Sequence, residues 1–465
     1  MRLIVILIIM LISFSAAAQE YQTHFPPEEF KARWEKVFDA IGENAAAIVQ
    51  GAPDPGGFIY PRQSNEFYYL CGVENSYSYL LLDGSTRKVT LYIPEGRSRG
   101  WERVLSLEDP DKVKELTGVD EVMNVDELRS IRARVIYTPF SPAEGQGQSR
   151  GEINSANRRI MEDYWDGRLP RETHFVSLLM ARNSRAEIRN LTPILDELRG
   201  IKSPREIEVL RRAGQLAALS IIEAMRSTKP GVYEYELDAA ARYIFLVNGA
   251  RLEGYRSITA AGVKNIGDAH YYYNSTQLKD GDLVLMDYAP DYGNYTSDIG
   301  RMWPVNGKFN DEQRGLCQFI LEYHKAILSR IRPGVTADQI MEEAKQAMEP
   351  VFARTTFSKP IYEQAARQLV DSGGGVFSHT VGMAVHDVGG YRSGPLKVGQ
   401  VFAVDPQLRV REEGLYMRIE DTIVVTEDGI ENFTRFAPSE LDDIEKMIQE
   451  SGIIQYRPAT PPVIR

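Results

Sequence analysis

Apolar residues recur along this chain in two rhythms. Over residues 28–42, EEFKARWEKVFDAIG, they fall three and four apart, the spacing that turns one face of an α-helix toward a core. Short apolar runs follow (AAAIV, EFYYLCGV, SYLLLD and KVTLYIP), and each reads as a strand. Asp83-Gly84 and Glu95-Gly96 supply turn signals among them. Helical spacing returns over 111–117 and 152–165, so the first part of the chain is expected to be an α/β domain. Helices are also expected over 185–200 and 204–228, with Ser203 as the N-cap and Pro204 at the first helical position. From 233 to 450, amphipathic helices (235–248, 310–331, 336–352, 360–371) mix with strand patterns (282–289, 294–303, 400–410, 414–426). That mixture predicts an α+β second domain. The boundary falls near 198–204, giving an N-terminal domain over 19–200, a second over 201–450 and a Pro-rich tail over 451–465.

The first residues fit neither rhythm. MRLIVILIIMLISFSAAAQE has one basic residue, an apolar run over 3–14 and small residues at 16–18 before Gln19. That is the layout of an export signal over 1–18, and the run is short for a bilayer span. A soluble product with no membrane insertion after cleavage, periplasmic or secreted, is the expectation. The 54 basic and 65 acidic side chains give a net charge of −11, which argues against nucleic acid as a partner held by a general basic field. Cys71 and Cys317 are too few for a disulfide framework or a four-cysteine zinc site. The sequence leaves open whether they pair.

Three segments carry candidate chemistry. In GDLVLMDYAPDYGNYTSDIGRMW, residues 281–303, two strand-like runs flank a turn-rich centre. A two-residue turn at Tyr292-Gly293 would set Asp287 opposite Asp298, and two facing carboxylates need a proton or a cation between them. Asp287 ends the apolar run LVLMD, and an acid at the end of a buried strand needs a partner. In HTVGMAVHDVGG, His379 and His386 stand seven apart among glycines. In VFAVDPQLRV and LYMRIEDTIVV, Asp405 ends an apolar run, and Arg418 and Glu420 share one strand face. Asp287, Asp298, Asp405 and Glu420 with His379 form an oxygen-rich donor set with one imidazole, suited to Mn, Co or Zn. Five such ligands, some bridging, suit two metals about 3.5–4 Å apart and hydrolytic chemistry. His386, and His270 in AHYYYN, are placed to move protons or meet a developing oxyanion.

These segments resemble the pita-bread metallopeptidases, and within them Xaa-Pro aminopeptidases (aminopeptidase P) and Xaa-Pro dipeptidases (prolidases). PRQSNEFYYLCGVE and IKSPREIEVLRRA are similar to two segments of that family, and the resemblance covers most of the chain after residue 18. It implies a C-terminal pita-bread domain preceded by a smaller α/β domain of the creatinase and aminopeptidase P kind. It also implies two divalent metals, most readily Mn2+, with Zn2+ or Co2+ as alternatives, held by Asp287, Asp298, His379, Asp405 and Glu420. A metal-bridging hydroxide would attack the Xaa-Pro bond of peptides with proline second. His270 and His386 would serve substrate and intermediate, Glu420 would accept a proton, and Arg418 would support the carboxylates. A homodimer or homotetramer is also implied.

The sequence departs from the family where an E-P-G motif becomes Asp405-Pro406-Gln407, and where a histidine four residues before His379 becomes Gly375. The stretch between His386 and Asp405 is also short against the family. A dipeptidase would need a cation for its product's carboxylate, and Arg392 is the candidate. A metal-poor chain that binds peptides or a partner is the reading from another class.

Overall fold

The computed structural model describes residues 21–95, 105–268, 271–372, 377–392 and 394–456. The expected signal segment, His270, Gly375 and most of the tail therefore lie outside the described residues.

The chain enters through helix α1 (Pro27–Ile41), which starts with Pro27 in its first turn, where a missing N–H costs no hydrogen bond. Its Phe30, Trp34, Val37, Phe38 and Ile41 form one buried face. That face packs on a six-stranded sheet made of β1 (Ala45–Gln50), β2 (Tyr79–Asp83), β3 (Lys88–Ile93), β4 (Glu121–Asn124), β5 (Val135–Thr138) and β6 (Glu187–Asn190). Their order is β4-β3-β2-β1-β5-β6. The pairs β1–β2 and β2–β3 are antiparallel, while β3–β4, β1–β5 and β5–β6 are parallel.

Two sequence expectations fail here. EFYYLCGV is not a strand: Asn65–Cys71 forms helix α2, and every residue of it is buried. Burial all round removes the polar positions that would have marked a helical period. Residues 185–200 do not form one helix either: β6 comes first and a helix follows over Thr192–Gly200. Numbered after α3 (Pro110–Thr117), α4 (Arg150–Glu162) and α5 (Arg171–Arg182), that helix is α6.

The second half opens with α7 (Pro204–Ser227), with Ser203 as its N-cap and Pro204 in its first turn as the sequence predicts, and Ser203 and Glu206 cap each other's backbone N–H. Helix α8 (Glu234–Val247) packs beside it. The strands are β7 (Leu252–Glu253), β8 (Ile258–Ala261), β9 (Leu283–Asp287), β10 (Pro290–Asp291), β11 (Ile299–Pro304), β12 (Phe377–Thr380), β13 (Val401–Val404), β14 (Gln407–Val410), β15 (Leu415–Arg418), β16 (Glu420–Thr426) and β17 (Gly429–Asn432). Seven of them build an antiparallel sheet in the order β12-β13-β16-β11-β9-β8, with β17 added to β16. The run 400–410 is therefore two strands in two sheets, broken at Asp405-Pro406, where proline cannot donate to a ladder. Buried residues of the helices over 204–247 and 311–372 and of the sheet's strands share one apolar core. The ends of β9 and β13 and the starts of β11 and β16 carry the polar exceptions to it.

Candidate metal centre

All five side chains of β9 are buried, and the strand ends on Asp287. Its partner β11 starts one residue after Asp298. The register sets Asp287 against Gly300, and Tyr292 bridges Tyr295. The turn is therefore Gly293-Asn294, one residue later than the sequence reading placed it. Both residues have positive φ, 61° and 65°, a conformation that Gly and Asn adopt at least cost. Asp287 and Asp298 are thus diagonal neighbours rather than opposed ones. Because side chains alternate with a period of two, they still share a face.

The next strand completes the row. Glu420, first residue of β16, pairs with Gly300 from the other side. Val404 of β13 pairs with Asp421, which leaves Asp405 beside Glu420. His379 comes from the edge strand β12. The Asp298, His379 and Glu420 ligand atoms all lie within 4.8 Å of one another. His379 Nε2 is 3.3 Å from Asp298 Oδ2 and 3.9 Å from Glu420 Oε1. The Arg418 guanidinium joins the remaining acids. Its Nη1 is 2.6 Å from Asp287 Oδ2, its Nε donates to Asp405 Oδ1 at 2.9 Å, and its Nη2 donates to Glu420 Oε2. Gln407 donates its amide to the other Asp405 oxygen.

Sequence reasoning missed Tyr255. Its hydroxyl lies 2.6 Å from Asp287 Oδ1 and 2.7 Å from Asp298 Oδ1. Nothing in LEGYRS marks it, because a single tyrosine carries no spacing.

The charges are strongly coupled. Burial pushes Asp287 up to about 8 despite Arg418, and burial likewise raises Asp405 and Glu420. Asp298 is driven the other way: burial opposes its charge, but the hydrogen bond from His379 holds it well below the usual carboxylate range. His379 is raised, its burial outweighed by the Asp298 carboxylate. Four buried carboxylates against one arginine leave an excess of negative charge, which a cation would offset.

Comparison with known proteins agrees with this geometry. Residues 208–427 match the model of "Metallopeptidase family M24", and residues 30–138 match that of "Aminopeptidase P, N-terminal domain". A Xaa-Pro aminopeptidase of Haemophilus influenzae is 30% identical over 92% of this chain and 99% of its own length. The chain belongs to metallopeptidase family M24. One from Escherichia coli is 29% identical over 90% of this chain and 97% of its own. Among solved structures, proline aminopeptidase P II from Yersinia pestis superposes with a TM-score of 0.72 at 30% identity, covering 91% of this chain and all of that one. Zinc-substituted aminopeptidase P from E. coli in complex with product gives 0.72 at 27%, covering 92% and 99%. The two-domain architecture, with a pita-bread C-terminal domain, is that of metallo-aminopeptidases of the Xaa-Pro aminopeptidase type.

This M24 chain has donors that fit a divalent metal. Glu420 Oε1 is buried and has no hydrogen-bond partner among the described residues, and it faces the Asp298–His379 pair. A carboxyl oxygen left bare in a low-dielectric site is costly to ionise, which is why burial raises Glu420, and a cation there would take the place of the proton. Asp298, His379 and Glu420 would hold that cation, with Asp287 and Asp405 on their flanks.

Of the remaining candidates, His386 adjoins the carboxylate row. The His386 ring packs edge-on against His379 at 4.3 Å between centroids, and burial with the neighbouring His379 lowers its affinity for a proton. Arg392 donates to the Phe377 carbonyl at 3.1 Å, which occupies part of the cation that a dipeptidase would need for product. Tyr271 is tied to Glu234, away from the carboxylate row. Cys71 and Cys317 are both buried and unpaired, one in α2 and the other in α10 (Asp311–Leu328).

Proposed function

We propose that this M24 enzyme is a two-metal exopeptidase that releases the N-terminal residue preceding a proline. The observation that supports this most is the convergence of Asp287, Asp298, His379, Asp405 and Glu420 at the ends of neighbouring strands, with three of them close enough to share one ion. The similarity to Xaa-Pro aminopeptidases over nine-tenths of the chain supports the substrate class.

Asp287, Asp298, His379, Asp405 and Glu420 would hold the pair of ions, with Mn2+ first among the candidates for a donor set so rich in oxygen. When bound, such a pair supplies an acidified water and polarises a carbonyl. The protein's own groups do the rest. Arg418 and Tyr255 hold Asp287, Asp298, Asp405 and Glu420 in a fixed row, so little reorganisation is needed as charge develops. Glu420, a carboxylate facing the Asp298–His379 pair, can take the proton lost by the attacking water. His386, close to His379 and partly open to solvent, can donate to the oxyanion of the tetrahedral intermediate. His270 is proposed to orient substrate. The signal-like segment over 1–18 supports a periplasmic or secreted site of action, on environmental or exported peptides.

Incubation with Mn2+ of an Xaa-Pro-Yaa tripeptide and an Xaa-Pro dipeptide, with Asp298→Ala as the blank, tests the reading. Release of the first residue from the tripeptide by the wild-type chain alone is the expected result. Cleavage of the dipeptide only would move the assignment to prolidase, and cleavage of neither by folded protein would remove the exopeptidase reading.

A further inference from the structure

The N-terminus of α4 touches the active-site histidine. Helix α4 lies outside both segments that match family models, which end at residue 138 and resume at 208. Glu152, in its first turn, places Oε1 2.9 Å from His386 Nδ1. Ser149, the residue before the helix, accepts the His386 backbone N–H on its hydroxyl at 3.2 Å. Ser149 makes no side-chain cap on its own helix, although serine there usually does. Its hydroxyl is used across the domain junction instead.

The platform that presents these two groups is fixed by buried charges. Arg150 donates to Asp196 at 2.7 Å and to Glu66 at 3.0 Å. Arg199 pairs with Glu144 at 3.0 Å and with Asp387, the neighbour of His386, at 2.5 Å. Lys202 meets the other Asp387 oxygen at 3.0 Å. His386 is therefore held through its own backbone N–H by Ser149 and through its neighbour Asp387 by Arg199 and Lys202, and its ring is the part left to orient.

We infer that Glu152 is a positioning residue, which fixes the His386 imidazole in the orientation that catalysis uses. This rests on the role proposed for His386 above. A carboxylate can only accept, so the contact puts a ring proton on Nδ1 and turns Nε2 toward substrate, where it accepts in the neutral ring and donates to the oxyanion once the ring takes up a second proton. A purely stabilising role does not account for the pair. The two side chains are 44% and 60% exposed, and exposed pairs of this kind contribute little to stability. The N-terminal domain thereby becomes part of the catalytic apparatus through one hydrogen bond.

The test is a double-mutant cycle with a spectroscopic arm. Glu152→Ala should lower kcat on the tripeptide by about ten-fold, within the range for partners that orient active-site histidines, with KM changed less than about two-fold. Glu152→Gln keeps an accepting oxygen and should recover most of kcat. In a His386→Ala background, Glu152→Ala should do nothing further. An unchanged kcat in Glu152→Ala, or an equal loss with His386 absent, overturns the inference. Nitrogen-15 histidine spectra decide the case independently of turnover. The His386 signal should show the Nδ1–H form in the wild type and lose it in Glu152→Ala, and identical spectra in the two proteins overturn the inference. An inactive wild type removes the proposed function and leaves that spectral comparison standing.

Discussion

Asp287 lies directly across the ladder from Gly300, and on the far side of that glycine stands Glu420. The missing side chain is what makes room for the charges. A Cβ at position 300 would come 3.2 Å from Glu420 Cβ and 3.3 Å from Arg418 Nε, closer than such contacts normally run. Gly300→Ala should therefore leave the fold intact, since the strand geometry is ordinary, yet displace the Arg418–Glu420 pair. We expect Mn2+ binding at least ten-fold weaker, measured by titration calorimetry on protein with unchanged circular dichroism. Wild-type affinity would mean that the row has slack.

Tyr255 holds Asp287 and Asp298 through one hydroxyl. Phenylalanine there fills the same space and removes only the donor. Tyr255→Phe should lose about 10–100-fold in metal affinity, the usual cost of deleting a group that orients ligands. The measurement is metal retained after dialysis against a graded chelator series. An unaltered curve would assign the hydroxyl a packing role.

Asp405 is one methylene shorter than the glutamate it replaces, and Arg418 and Gln407 both hold it. The double substitution Asp405→Glu with Gln407→Gly restores the longer arm and removes the tether. Metal content by mass spectrometry should rise toward two equivalents at lower free Mn2+ than the wild type needs. If the titration does not move, Asp405 already reaches.

His324 gives the clearest pH effect on stability. It is 2% exposed, and its Nε2 stands 3.6 Å from Asp421 Oδ2. Burial lowers its pKa from 6.5 to about 4, more than Asp421 offsets. Between those values the unfolded chain binds a proton that the folded chain refuses, so stability falls as pH drops from 6.5 to 4. The shift corresponds to about 3 kcal/mol. Urea unfolding across that range should show this loss in the wild type and a flatter profile in His324→Asn. Parallel profiles would show that the histidine charges freely in the fold.

What the sequence displayed was set by how one-sided each environment is. LVLMD ending on an acid could be read at once, because a buried strand must account for its one charge. The spacing of Asp287 and Asp298 identified the hairpin, but not its turn, since Tyr292-Gly293 and Gly293-Asn294 both contain the needed glycine. Such a turn needs positive φ at both residues, which Asn294 takes more readily than Tyr292, so residue type favours Gly293-Asn294 where spacing alone does not decide. Helix α2 was hidden by being buried on every side, and β6 by the opposite condition, a mostly exposed strand, EIRN, with no apolar alternation. Tyr255 and Glu152 stood outside every motif, because each acts through a partner far away in the chain.

The order of strands in the catalytic sheet has a kinetic consequence. Its middle pairs join β11 to β16, so Asp287 and Asp298 are synthesised long before Glu420 can reach them. Contacts between such distant segments form late, after the cost of closing the loop has been met. No early intermediate owns a complete donor set, and metal uptake must wait until the last third of the polypeptide has threaded in beside β11. Ions in the surroundings therefore have no complete donor set to occupy before the sheet is closed.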